Sequence, residues 1–189
     1  MSLKSNTGMG RKSKKQRYAL YIATAAVIAG LYTIATLLIQ PLAFGPVQFR
    51  ISEALTILPV FTPVAIPGLF IGCVLSNAVG VATGANVLGA LDIVIGSSAT
   101  LAAAVLSYFL RDIKFRILPH GIKIPLLATI PPVVVNAFVI GTELAFVDSA
   151  SLWLNILFVA LGQLAPCVIL GSLLYVGIVK SKADRFIAA

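Results

Sequence analysis

A succession of long apolar runs, separated by short basic clusters, restricts what this chain can fold into more than any other feature. The first run, residues 18–39, exceeds the roughly 20 residues that carry a helix across a bilayer. It is also longer than the roughly 7–15-residue apolar core of a secretory signal, so it reads as a retained span. Further runs follow at 66–83, 87–110, 124–147 and 152–179. In lipid, every backbone N–H and C=O must find its partner inside the protein, so such runs fold as helices packed on helices. Charged residues make up 11% of the 189 positions, against about 25% in soluble domains. The expectation is an all-α polytopic membrane protein with a single membrane domain over residues 18–180. A basic tail over 1–17, expected to be disordered, precedes that domain, with Met9 as a candidate native start. A second tail covers 181–189.

The basic clusters set the orientation. Lys4, Arg11, Lys12, Lys14, Lys15 and Arg17 precede the first run; Arg111, Lys114, Arg116 and Lys123 follow the fourth; Lys180, Lys182 and Arg185 follow the last. Such clusters mark cytoplasmic loops, so an even number of crossings must separate each pair. Residues 50–61 are too few to cross upright as an α-helix, yet the parity requires them to return the chain. The expectation is therefore six transmembrane helices in the cell membrane, the second one short, with both termini cytoplasmic. The net charge of +8 belongs to these loops. No basic stripe interleaved with aromatics points to nucleic acid.

Arg50 and Glu53 stand three residues apart at the start of that short segment, and ionisable groups at membrane depth are costly and usually functional. With alternating span directions, Asn77, Asp92, Asn136, Glu143, Asn155 and Gln163 fall in the same outer half. Asn136 and Glu143 are nearly two turns apart and share a face, as roughly do Asn155 and Gln163. Taken singly, Asp92 and Asn155 suit helix caps, Arg50 suits a side chain snorkelling to headgroups, and Asn77 or Gln163 suits interhelical glue. Together the eight outline a substrate pocket open to the outside. Carboxylates and amides there suit a small, planar, hydrogen-bonding solute, neutral or cationic. Phe44, Phe49, Phe146 and Trp153 are expected at the outer rim, stacked on such a ring or in the interfacial aromatic belt.

Other chemistry lacks its residues. The sequence has no phosphate-binding Gly-x-x-x-x-Gly-Lys-Ser/Thr loop, so the chain is not expected to use ATP itself. The single histidine, His120, lies in a basic loop, and no catalytic set, metal site or cofactor is expected. Cys73 and Cys167 lie inside apolar runs and read as small buried hydrophobes. The pattern suits a binding subunit that is energised by partners. The alternative is a stand-alone carrier driven by protons through Asp92 and Glu143.

The run Arg50-Ile-Ser-Glu-Ala-Leu-Thr-Ile-Leu-Pro59, followed by Ala65-Ile-Pro-Gly-Leu-Phe-Ile-Gly72, resembles the queuosine precursor transporter family, QueT. Leu91-Asp-Ile-Val-Ile-Gly-Ser97, Pro131-Pro-Val-Val-Val-Asn136 with Glu143, Trp153-Leu-Asn155 and Leu161-Gly-Gln163 extend the resemblance over nearly the whole chain. The resemblance implies a six-helix substrate-binding S component of an energy-coupling factor (ECF) importer, a type of ABC transporter. Implied partners are a transmembrane coupling subunit and two cytoplasmic ATPases. Implied substrates are 7-deazaguanines: queuine or its cyano and aminomethyl precursors. The implied docking face is the alanine strip of the first helix, Ala19, Ala23, Ala25 and Ala29.

Overall fold

A computed structural model describes residues 13–116, 122–148 and 151–187. The tail up to Lys12, His120, and Ser149 and Ala150 of the expected turn after the fifth run lie outside the described residues. Helix α1 (Lys14–Leu37) begins ahead of the apolar run because Ser13 and Gln16 form a reciprocal capping box. A single turn, α2 (Gln40–Ala43), and a short loop lead to a ten-residue 3₁₀ helix, Ile51–Val60. Then follow α3 (Ala65–Ala82), α4 (Ala90–Phe109) and a two-stranded antiparallel ribbon, β1 (Phe115–Arg116) with β2 (Lys123–Ile124). A 3₁₀ turn at Leu126–Thr129 opens α5 (Ile130–Val147). The last long element is α6 (Leu152–Leu164) joined through a π-helical stretch, Ala165–Leu170, to α7 (Gly171–Lys180). A final turn, α8, spans Asp184–Ile187.

Five helices are long and apolar enough to cross a membrane, so the chain is a multi-pass membrane protein by composition and fold. The remaining expected segment is present, but as the 3₁₀ helix rather than an α-helix. This changes its reach: at about 2.0 Å per residue, ten residues extend roughly 20 Å instead of about 15 Å.

Close backbone contacts fix the relative directions. A side chain on Gly68 would collide with Ala25 and Ile28, and one on Gly72 with Ala29 and Tyr32, so α1 and α3 lie parallel and nearly touching. Asn77 meets Asp92 and Cys73 meets Thr100, so α3 and α4 run antiparallel. Two parallel helices need a return between them, and the 3₁₀ helix supplies it. It packs against α1, α3, α4, α7 and the π stretch. Its far end, at Val60 and Phe61, packs against the same apolar cluster as Leu110, Ile122 and Val179, with Phe61 stacked on Tyr175 at 5.0 Å. The start of α1, the end of α4, the start of α5 and the end of α7 therefore share one end of the bundle. The described basic residues of all three clusters gather there.

Candidate functional site

Away from the basic end, the bundle interior holds two polar centres. The first forms around Arg50. Its backbone is extended, one step before the 3₁₀ helix begins, so its side chain leaves the direction taken by Glu53. The guanidinium donates from Nε to the Ala43 carbonyl at 3.0 Å, pairs with Asp92 Oδ2 at 3.2 Å and lies 5.1 Å from the Phe44 ring centre. Arg50 is only 3% exposed, so it does not reach the headgroups. The Phe44 ring rests on Gly80, where any side chain would strike it. Asp92 Oδ2 also accepts from Asn86 Nδ2 at 2.7 Å, and the Asp92 carbonyl accepts from Asn77 Nδ2 at 2.8 Å. Gly96 makes room for this arrangement: a Cβ there would collide with Asp92 Oδ1. Buried charges persist only when paired and hydrogen-bonded. This centre is such a pair, holding α3, α4 and the loop before the 3₁₀ helix together.

The second centre surrounds Glu53, which is wholly buried. Tyr32 Oη donates to Glu53 Oε1 at 2.5 Å. Asn136 stands within interacting reach of the carboxylate, yet no hydrogen bond of ordinary geometry reaches Oε2. Behind the pair, Thr36 Oγ1 donates to Ser52 Oγ at 2.6 Å and clamps α1 to the 3₁₀ helix. Cys167 lies within electrostatic reach of Glu53 and donates to Gln163 Oε1 at 3.3 Å. Gln163 Nε2 in turn donates to the Gln48 carbonyl at 3.0 Å.

Glu143 is 7% exposed, and neither of its carboxylate oxygens has a partner. It lines an apolar crevice of about 460 Å³ between α4 and α5, with Leu91, Ile95, Phe138 and Phe146. It lies within electrostatic reach of Arg50 and Asp92. Asn155 donates to Asp148 Oδ1 at 2.9 Å, which clasps the start of α6 to the end of α5.

The eight expected substrate residues thus divide. Arg50, Asp92 and Asn77 form one centre; Glu53 has Asn136 and Cys167 within electrostatic reach, and Cys167 donates to Gln163; Glu143 opens on the crevice; Asn155 sits in the α5–α6 clasp. Both cysteines are buried and free. Phe146 and Trp153 are 86% and 71% exposed and suit the aromatic belt, whereas Phe44 is buried under Arg50. Of the four alanines, Ala25 and Ala29 are buried against the glycines of α3, while Ala19 and Ala23 are exposed. Sequence reasoning passed over Tyr32, Asn86 and Gln48. A phenol in mid-span and an amide following a Gly-Pro turn were the signals that could have drawn attention to two of them.

A family model described as QueT transporter matches residues 22–180, which include every polar residue placed above from Tyr32 to Gln163. The chain belongs to the QueT transporter family. A protein of Lactococcus lactis subsp. cremoris (strain MG1363) named queuosine precursor transporter QueT is 32% identical over 93 residues. That alignment covers 48% of this chain and 51% of the relative, so the chain spans about half the length of the curated relative it matches. No solved structure matches the chain. Membership in QueT makes the chain a member of a transporter family, which agrees with the reading that it is not an enzyme.

Proposed function

We propose that this chain is the membrane-embedded S component of an ECF-type ABC importer, and that it captures a queuosine precursor of the 7-deazaguanine class. One observation carries the reading: a fully buried carboxylate, Glu53, steadied by Tyr32 on one oxygen and unpartnered on the other. A carboxylate binds best to two donors side by side. A deazaguanine offers these as a ring N–H next to an exocyclic amine. Asn136 flanks the carboxylate and adds a donor and an acceptor. Glu143, unpartnered at the crevice, supplies a further acceptor for the substrate, with Asn77, Asp92, Asn155 and Gln163 as the supporting polar set.

In this reading the chain crosses six times, the 3₁₀ helix being the second crossing, with both termini and the basic end cytoplasmic. The parallel packing of α1 on α3 supports it. Substrate enters from the opposite side. Partners are a transmembrane coupling subunit and two ATPase subunits. Docking falls on the part of α1 that the bundle leaves open: Ala19 and Ala23, continued at helical spacing by Ala26 and Gly30. A Cβ on Gly30 would meet nothing within 4 Å.

Reconstitution into liposomes tests the energy source. Uptake of a deazaguanine is expected only when the coupling subunit and ATPases are present with ATP. Uptake driven by a pH gradient with this chain alone would instead support the stand-alone carrier.

A further inference from the structure

Gln48 is the one described amide whose side-chain nitrogen and oxygen are both buried without a partner. It is 1% exposed, and both Nε2 and Oε1 lack a partner. Its backbone φ is +52°, in the left-handed region that few side-chain-bearing residues adopt. The backbone is held there from several sides. Gln48 N–H donates to the Gly45 carbonyl at 3.0 Å, its own carbonyl accepts from Gln163, and Phe49 N–H donates to the Leu42 carbonyl at 3.0 Å. The preceding carbonyl, of Val47, presses onto α6 where Gly162 leaves space for it. An orphaned buried amide and a strained backbone both oppose folding, and strain fixed so firmly by its surroundings points to function.

We propose that Gln48 is a specificity-determining residue whose amide reads a donor–acceptor edge of the substrate. This rests on the 7-deazaguanine reading above. A side-chain amide presents one donor and one acceptor side by side in a plane. Glu53, an acceptor on both oxygens, takes the edge with two donors. The edge left over on a deazaguanine base is a ring nitrogen next to the pyrrole N–H, one acceptor and one donor. The Gln48 backbone carbonyl is held by Gln163, which accepts from Cys167, and Cys167 lies within electrostatic reach of Glu53. The amide therefore selects the free base, whose pyrrole nitrogen keeps its hydrogen, over a nucleoside or any N-alkylated form.

The test is calorimetric titration of the purified full-length chain in nanodiscs with a 7-deazaguanine base and with its pyrrole-N-methyl analogue. Wild type is expected to prefer the free base by about tenfold or more. Gln48→Gly relieves the backbone and removes the amide. It is expected to lose about 10- to 100-fold in affinity for the free base and to lose the preference, while melting no lower than wild type. Gln48→Asn keeps an amide that tolerates this backbone and is expected to retain part of the preference. If Gln48→Gly binds both compounds as wild type does, or loses both equally, the inference is overturned and the binding reading stands. If wild type binds neither compound, the binding reading falls and the inference falls with it.

Discussion

Two carboxylates in this bundle differ in their counter-charge, and single substitutions separate them. Asp92 is paired with Arg50 and bonded by Asn86 through Oδ2, while its Oδ1 has no partner. Arg50→Ala leaves that carboxylate buried without its counter-charge, a loss of about 3–5 kcal/mol for buried pairs. A large fall in melting temperature in detergent is expected, and unchanged melting would contradict the ion-pair assignment. Glu53 makes no ion pair among the described residues and also has a free oxygen, so Glu53→Gln is expected to spare the fold and weaken substrate binding by tenfold or more, measured by titration. Equal binding by the variant would remove Glu53 from the site. The cost of charge in lipid made Arg50 and Glu53 legible in the sequence as exceptional residues. It could not tell which carboxylate the arginine would choose. Asp92 is 42 positions away, and only the packing of α3 on α4 brings it in. Gln48 was only faintly legible for a different reason: beyond the Gly-Pro turn before it, a neutral amide in a loop looks ordinary until its burial and backbone are known.

At the level of elements, the apolar runs located every long helix, because lipid permits no other fold for them. Their boundaries depended on local chemistry. The Ser13 cap moved the first start to Lys14, and the Pro166 ring, which lacks an N–H, sits where α6 widens into a π turn. The second segment was recognised as short, but its 3₁₀ form was not, since ten apolar residues do not distinguish a period of 3.0 from one of 3.6. Helix proximity hinges on α3. A Cβ on Gly72 would lie 2.7 Å from Tyr32 Cβ and 2.8 Å from the Ala29 carbonyl oxygen. Gly72→Ala is therefore expected to destabilise by about 1–3 kcal/mol and to weaken binding by shifting Tyr32 from Glu53. Gly30→Ala, on the open face of α1, is expected to change stability by less than about 0.5 kcal/mol. Thermal melts of the two variants check the contrast, and equal effects would contradict the close packing of α1 on α3.

For the whole molecule, the bundle separates its charged, polar and small-residue features by end and by face. The described basic residues collect at one end, the polar centres lie in the other half, and the small-residue strip of α1 holds the exposed Ala19, Ala23 and Ala26. Binding and assembly should therefore be separable. Ala23→Phe is expected to abolish co-purification with a coupling subunit while leaving substrate affinity within about twofold of wild type. Loss of affinity along with assembly would place the strip inside the binding bundle instead. The central claim, capture of a deazaguanine by this chain alone, is tested most directly by titrating a 7-deazaguanine base into the purified full-length protein in nanodiscs. The expected result is saturable one-site binding at micromolar ligand or below. No binding at micromolar ligand, with a different vitamin bound instead, would contradict it.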